Sequence, residues 1–205
     1  QPVPVTWGRR VTNPDEIGEP DIETDVPLGP NQPTTIITPS VMIRFLDGWS
    51  VSARGEYQAG HYISDGGTAN AIGRGVVWPY CNTPDANGRN ASEMMAQGNY
   101  EGLTAKTRFL CDWNDTQEDR YIWPADFFKL RDVTLQVPMQ AVVPWGSSPT
   151  LTLSMRNAVR WFNDDWFAFD PEMLDNSGGL SQVERAMTEH VPPPSTFTAS
   201  FRINF

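Results

Sequence analysis

The feature that most constrains this chain is a strict alternation of apolar and polar side chains in several separate segments. From Trp49 to Ala59, every odd position is apolar or small and every even position is polar or charged. Successive side chains of a β-strand point to opposite faces, so this pattern predicts a strand with one apolar and one polar face. The segment also has the length, about 9–11 residues, that a tilted strand needs to cross a bilayer.

Four further segments repeat the alternation: 34–45, about 120–137, about 150–161 and 195–205. In the segment 120–137, Phe128 and Leu130 are out of phase with Val133 and Leu135, which predicts a β-bulge or an extension of the strand beyond the membrane. The predicted fold class is therefore all-β, an antiparallel transmembrane β-barrel segment of about five strands. Its long extracellular loops are expected to contain short helices, for example within residues 91–110 and after a capping box at Ser181–Glu184.

The connections between these segments alternate between short and long. Asp47-Gly48 predicts a two-residue type I′ hairpin turn between the first two segments. The long stretches are 62–119 and 162–194. Because outer-membrane barrels have short periplasmic turns and long extracellular loops, both stretches are placed outside the cell and the C-terminus in the periplasm. We accordingly divide the chain into a Pro-rich acidic extracellular loop, 1–33, and barrel strands with their loops, 34–205.

Composition excludes several classes of protein. The chain has 15 basic and 25 acidic residues, a net charge of −10, which argues against nucleic acid as a partner because phosphate binding needs clustered Lys and Arg. No apolar run is long enough for a transmembrane helix. The two cysteines, Cys81 and Cys111, bracket a polar stretch, which favours a disulfide formed in an oxidising compartment over two separate buried thiols.

Residues that might carry chemistry are few. His61 and His190 are far apart and fit no catalytic or zinc motif, so we expect no enzyme activity, no cofactor and no metal. The oxygen-rich stretch 13–21 is only weakly similar to a calcium loop, because prolines interrupt its spacing.

The acidic loops offer candidate contacts for a ligand. Two tryptophans and two carboxylates lie there, where an aromatic face beside an acid can hold a sugar or a peptide: Trp113, Trp166, Asp164 and Asp165. For the tryptophans the alternative is packing within the loops, and for the adjacent carboxylates it is solvation.

Four stretches of the chain are informative as a set: Gly55–His61, Tyr121–Leu135, Leu151–Asn157 followed by Asp170-Pro171-Glu172, and the tail Pro192–Phe205. Together they resemble SusC-like TonB-dependent receptors. The similarity spans about residues 30–205 and is specific as a set. It identifies the chain as similar to the C-terminal part of such a barrel.

The resemblance implies a large plugged barrel that takes up oligosaccharides or peptides through the bacterial outer membrane. It also implies a SusD-like surface lipoprotein as partner, contact with outer-membrane lipid, and energy supplied by TonB through an N-terminal region that is missing from this sequence. The final strand, with Phe201, Ile203 and Phe205, would be the signal for the barrel-assembly machinery. The alternative is a structural or interaction protein, a fragment or surface fibre, that assembles through open strand edges.

Overall fold

The structure, a computed structural model, describes residues 4–74, 78–115, 117–145, 147–168, 170–172, 186–187 and 192–204. The β-strands in these residues are β1 (Val5–Val11), β2 (Ile22–Pro30), β3 (Thr35–Ile37), β4 (Ser40–Phe45), β5 (Trp49–Ala59), β6 (Tyr62–Asp65), β7 (Ile122–Pro124), β8 (Phe127–Pro138), β9 (Ser147–Phe162), β10 (Ala186–Met187) and β11 (Thr196–Asn204). The α-helices are α1 (Gly66–Gly73), α2 (Pro79–Asn82), α3 (Ala91–Ala96) and α4 (Ala105–Cys111). No helix in the described residues is both long and apolar enough to cross a membrane.

The chain divides into two compact units. We call the first the sheet unit; it comprises residues 34–59, 126–163 and 192–205. We call the second the loop unit; it comprises residues 1–33, 60–125 and 164–191.

The sheet unit is one antiparallel sheet in the order β11-β9-β8-β5, with β3 and β4 both pairing with the outer edge of β5. The predicted strands at 49–59, 150–161 and 195–205 are thus confirmed. The predicted strand at 34–45 is interrupted at Thr38 and Pro39, and the Pro39 carbonyl there accepts a hydrogen bond from Gly55 N at 2.8 Å.

The hairpin between β4 and β5 is present, but the predicted two-residue type I′ turn is wrong. Phe45 pairs with Trp49, so the turn has three residues, and its positive φ angles are at Leu46 (49°) and Gly48 (94°). A two-residue turn would pair Leu46 with Trp49 and set polar positions of one strand opposite apolar positions of the other. The three-residue turn keeps the apolar side chains of both strands on one face.

The predicted bulge in β8 is confirmed at Arg131. Along β5, Arg54 pairs with Asp132 and Gly55 with Leu130, so Arg131 is the extra residue. An extra residue reverses the parity of the strand, which returns Phe128 and Leu130 to the face that carries Val133.

The loop unit contains two small sheets and the four helices. β1 pairs antiparallel with β2, and the order of the second sheet is β10-β6-β7. Instead of one helix within 91–110 there are two, α3 and α4, because Gly98 and Gly102 between them have positive φ angles of 70° and 74°. The predicted capping box at 181–184 lies outside the described residues.

Side-chain caps define where three of the helices begin. Asp65 accepts a hydrogen bond from Thr68 N, Asn90 from Glu93 N and Thr104 from Thr107 N. Each satisfies a backbone donor that a helix leaves unpaired at its N-terminus.

Candidate functional site

The register of the sheet unit separates an apolar face from a polar face, because directly opposed residues of antiparallel strands lie on the same face. The apolar rows are Phe45–Trp49, Ile43–Val51–Leu135–Leu153–Ala199, Val41–Ala53–Val133–Met155–Phe197, Gly55–Leu130–Val159 and Ile37–Tyr57–Phe128–Trp161. The alternation seen in each sequence segment is therefore in phase across the whole sheet.

This apolar face is exposed in the sheet unit. Val41 is 51% exposed, Ile43 53% and Phe197 69%. Soluble monomers rarely expose a contiguous apolar patch of more than a few hundred Å². From Trp49 to Tyr57 the rows extend about 27 Å along the strand, at about 3.4 Å per residue. At a strand tilt of about 40° this corresponds to about 20 Å along the membrane normal, which is close to the apolar band of about 25 Å in an outer-membrane barrel.

Aromatic side chains mark both ends of the apolar face. Phe45 and Trp49 lie at one end with ring centroids 6.2 Å apart. Tyr57, Phe128 and Trp161 share a row at the other end. Aromatic girdles in these positions are typical of proteins that cross a membrane, because the rings prefer the interface between hydrocarbon and head groups.

The opposite face of the sheet is polar and charged. One row is Ser52–Thr134–Ser154–Thr198, and the next is Arg54–Asp132–Arg156–Thr196. Glu56 forms an ion pair of 2.9 Å with Arg131. Lys129 is buried beside the ring of Phe127, with 5.2 Å between Nζ and the ring centroid.

The structure separates the two tryptophans that the sequence offers as ligand contacts. Trp113 follows α4 and is 52% exposed, whereas Trp166 is 7% exposed. Their rings do not contact each other within the described part of the chain. Trp166 is thus buried within the loop unit, whereas Trp113 is exposed.

Asp164 and Asp165 lie in an exposed turn after β9. Asp165 Oδ1 accepts a hydrogen bond from Lys106 Nζ at 3.2 Å, and the same Nζ lies 5.2 Å from the centroid of the Phe167 ring. The structure thus brings Asp165 to α4, a contact between residues 59 positions apart.

Sequence reasoning missed an aromatic cluster beside the disulfide. The structure joins Cys81 to Cys111 as the sequence predicts, and Trp78, Tyr80, Tyr121, Trp123 and Phe167 form a connected set of ring contacts. The signal was the short motifs Trp78-Pro79-Tyr80-Cys81 and Tyr121-Ile122-Trp123-Pro124, in which aromatic residues alternate with other residues.

A charged network lies elsewhere in the loop unit. Arg9 forms ion pairs with Asp115 at 2.5 Å and Asp119 at 2.7 Å. The hydrogen bond from Arg9 holds the pKa of Asp115 below its usual value. Arg120 is buried over the Phe109 ring, 4.7 Å from its centroid, and burial raises the pKa of Tyr121 to about 12. These contacts hold loop segments together.

The stretch 13–21 is organised by its own side chains. Asn13 Oδ1 accepts a hydrogen bond from Asp21 N at 2.8 Å, and Asn13 Nδ2 donates to the Glu19 carbonyl at 3.1 Å. Among the described residues, no group of three potential ligand side chains is placed to hold a metal ion.

For the predicted assembly signal, Phe201 pairs with Leu151 and is exposed on the apolar face. Ile203 is half-buried near the end of β11. Phe205 lies outside the described residues, as does His190.

These features define a mostly β fold of antiparallel sheets, in which the described strands form an open sheet and do not close a barrel. In particular, the fold is similar to that of the RagAB peptide importer. The "open-open" state matches with a TM-score of 0.60 and 14% identity over 97% of this chain and 22% of that chain. The "closed-closed" state matches with a TM-score of 0.57 and 15% identity over 97% and 21%.

The chain thus spans about a fifth of the length of the solved structures that it matches. The resemblance to SusC-like receptors seen in the sequence is confirmed at the level of fold. Both matched structures are of a peptide importer. No family model matches the chain, and no curated protein matches it.

Proposed function

We propose that this chain forms part of the wall and the extracellular loops of an outer-membrane receptor that takes up peptides or oligosaccharides. The observation that carries the proposal is the exposed, in-register apolar face of the sheet unit, with aromatic rows at both ends. In this arrangement the apolar face contacts lipid and the polar face lines the lumen of the barrel.

The loops are proposed to be extracellular and to contact cargo, through Trp113 and the turn at Asp164 and Asp165. The resemblance to SusC-like receptors supports a SusD-like lipoprotein as partner, TonB as the source of energy, and the barrel-assembly machinery for insertion. In the sheet unit, β4 and β5 are joined by the turn 46–48 and β8 and β9 by residues 139–146. The long excursions leave from the other ends of these strands, which supports the assignment of the short turns to the periplasm.

Labelling of introduced cysteines tests which face meets lipid. In outer membranes containing the full-length protein, Ile43→Cys should react with a lipid-soluble maleimide and resist a charged one, because lipid excludes the charged reagent. Ser52→Cys, on the opposite face of the adjacent strand, is the matched control. Rapid reaction of Ile43→Cys with the charged reagent in intact membranes contradicts the lipid wall.

Uptake is tested separately, with labelled peptides and labelled oligosaccharides supplied to cells that express the full-length protein. Accumulation of either cargo should require TonB. Equal accumulation with and without the protein contradicts the role in uptake.

The second candidate function is a structural protein that assembles through strand edges. It is favoured by one observation: within the described residues, the sheet leaves one edge of β11 and the outer edges of β3 and β4 unpaired. Assembly of that kind would cover the apolar face with protein, so Ile43→Cys would then resist the lipid-soluble reagent as well.

A further inference from the structure

The charge of the sheet unit is opposite in sign to that of the whole chain. Its residues include four acidic side chains and seven basic ones, although the complete chain has 25 acidic and 15 basic residues. The basic residues are Arg44, Arg54, Lys129, Arg131, Arg156, Arg160 and Arg202. Their strand positions place them on the polar face.

Five of these arginines are exposed: Arg44, Arg54, Arg156, Arg160 and Arg202. Three of them, Arg54, Arg156 and Arg160, lie in neighbouring rows. In the part of the chain that the structure describes, their side chains make no ion pair and no hydrogen bond. The loop unit differs, because Arg9, Arg10, Arg89 and Arg108 each have an acidic partner there.

The register places the three arginines in two adjacent rows. Arg54 and Arg156 lie on either side of Asp132, which leaves one carboxylate between two guanidinium groups. In the next row, Arg160 is directly opposite Lys129, and Lys129 is opposite Glu56 on its other side. The two rows together hold four basic side chains and two acidic ones, so this part of the polar face is net positive and attracts anions.

Guanidinium groups bind carboxylates through two parallel hydrogen bonds, a geometry that favours carboxylates over neutral groups. The polar face has no Trp or Tyr among its described residues, and Ser, Thr and Gln surround the arginines. Its two phenylalanines, Phe127 and Phe162, lie opposite each other in the row beyond Arg160, and Phe127 is only 1% exposed. The row of Arg54 and Arg156 thus has no flat aromatic surface on which a sugar ring would lie, which favours a peptide carboxylate over an acidic oligosaccharide.

We propose that Arg54, Arg156 and Arg160 bind the side-chain carboxylates of an acidic peptide cargo. This rests on the proposed function, in which the polar face lines the lumen. Arg160 lies two residues before the end of β9, whereas Arg54 lies at the middle of β5. Under the same proposal the two rows therefore extend from the middle of the wall toward the loops.

The test uses the full-length protein in detergent and two labelled decapeptides, one of alternating Gly and Glu and one with Gln in place of Glu. Fluorescence anisotropy should show about tenfold tighter binding of the Glu peptide, and added salt should reduce the difference. The double variant Arg54→Gln with Arg156→Gln should weaken binding of the Glu peptide about fivefold or more. Arg44→Gln with Arg202→Gln, which removes two exposed arginines from other rows of the same face, should change it less than about twofold.

Equal affinity for the two peptides overturns the proposal. Because this comparison uses only the parent protein, it tests the proposal even where the double variant does not insert. Equal losses in the two double variants also overturn it, since they would reflect net charge alone. Displacement of the Glu peptide by an oligogalacturonate at equal carboxylate concentration overturns the assignment to peptides. The cysteine labelling described above decides separately whether the sheet is a membrane wall.

Discussion

At the scale of single residues, the Asp115 carboxylate joins β1 to the segment that follows α4. It accepts hydrogen bonds from Arg9, and Arg120 Nη1 lies 3.7 Å from its Oδ2. Arg9 is only 11% exposed at its side chain, so its pairing is less screened by water than a surface ion pair.

We predict that Asp115→Asn destabilises the loop unit by about 1–2 kcal/mol, because an amide leaves the buried Arg9 charge poorly paired. The pKa of Asp115 is lowered in the folded state. The contribution of its carboxylate to the stability of that state is therefore fully present above its ordinary pKa of 3.8. The contribution is lost as the pH falls below that value through the folded-state pKa.

Protease resistance of the loop unit, followed from neutral to acidic pH, measures this contribution. Glu23→Gln is the matched control, because its ion pair with Arg10 is more than half exposed on both sides. An acid transition that is the same in Asp115→Asn and the parent protein would show that the ion pair does not stabilise the unit.

The disulfide belongs to the same scale. Cys81 and Cys111 are both buried, and a sequence separation of 30 residues lies between them. Replacing both with Ser should destabilise the loop unit by about 3–4 kcal/mol on the chain-entropy model. Chemical denaturation of the loop unit measures the loss, and non-reducing peptide mapping that finds two alkylatable thiols contradicts the bond itself.

At the scale of elements, β8 is the strand whose two faces are most directly comparable. Val133 lies between Ala53 and Met155 in the central apolar row, and Thr134 lies between Ser52 and Ser154 on the polar face. The two positions are adjacent in sequence and both are half-buried.

We predict that Val133→Arg destabilises the membrane-inserted protein by about 2–4 kcal/mol, because in the proposed barrel wall the charge would lie at the middle of the bilayer. Thr134→Arg is the matched control and should have a mild effect, since its side chain lies on the polar face, which would line the lumen of the proposed barrel. Urea unfolding in lipid vesicles measures the stability of both variants. If the two variants lose the same stability, the apolar face of the sheet does not contact lipid.

At the scale of the whole molecule, the sheet must close with further strands if it is to span a membrane. An open edge leaves backbone N–H and C=O groups in hydrocarbon, at a cost of several kcal/mol each. β11 is one edge of the described sheet, and Phe201 lies exposed on its apolar face.

We therefore predict that Phe201→Ser in the full-length protein strongly reduces the heat-modifiable, protease-resistant form in the outer membrane. The proposed cause is loss of the aromatic strand that the barrel-assembly machinery reads. Thr198→Ser on the opposite face of β11 should insert normally. If the two variants insert equally well, Phe201 is not part of an assembly signal.

Much of the sheet unit could be predicted from the sequence, because the alternation of apolar and polar residues is a local pattern. A period of two fixes the face of each side chain from its own position, and the requirement for one apolar face removes most alternatives. The out-of-phase pair Phe128 and Leu130 predicted either a bulge or an extension beyond the membrane, and the pairing of β8 with β5 shows a bulge at Arg131. The position of the two cysteines on either side of a polar stretch predicted their bond.

Contacts between segments that are distant in sequence were decided only by the tertiary structure. The turn at Leu46–Gly48 follows from the pairing of β4 with β5, which overrides the local preference of Asp47-Gly48. The difference between the exposed Trp113 and the buried Trp166, and the contact of Asp165 with Lys106, have no periodic signal. Each depends on which loop segments pack together, and packing is set by the whole set of neighbours and not by the residues nearby in sequence.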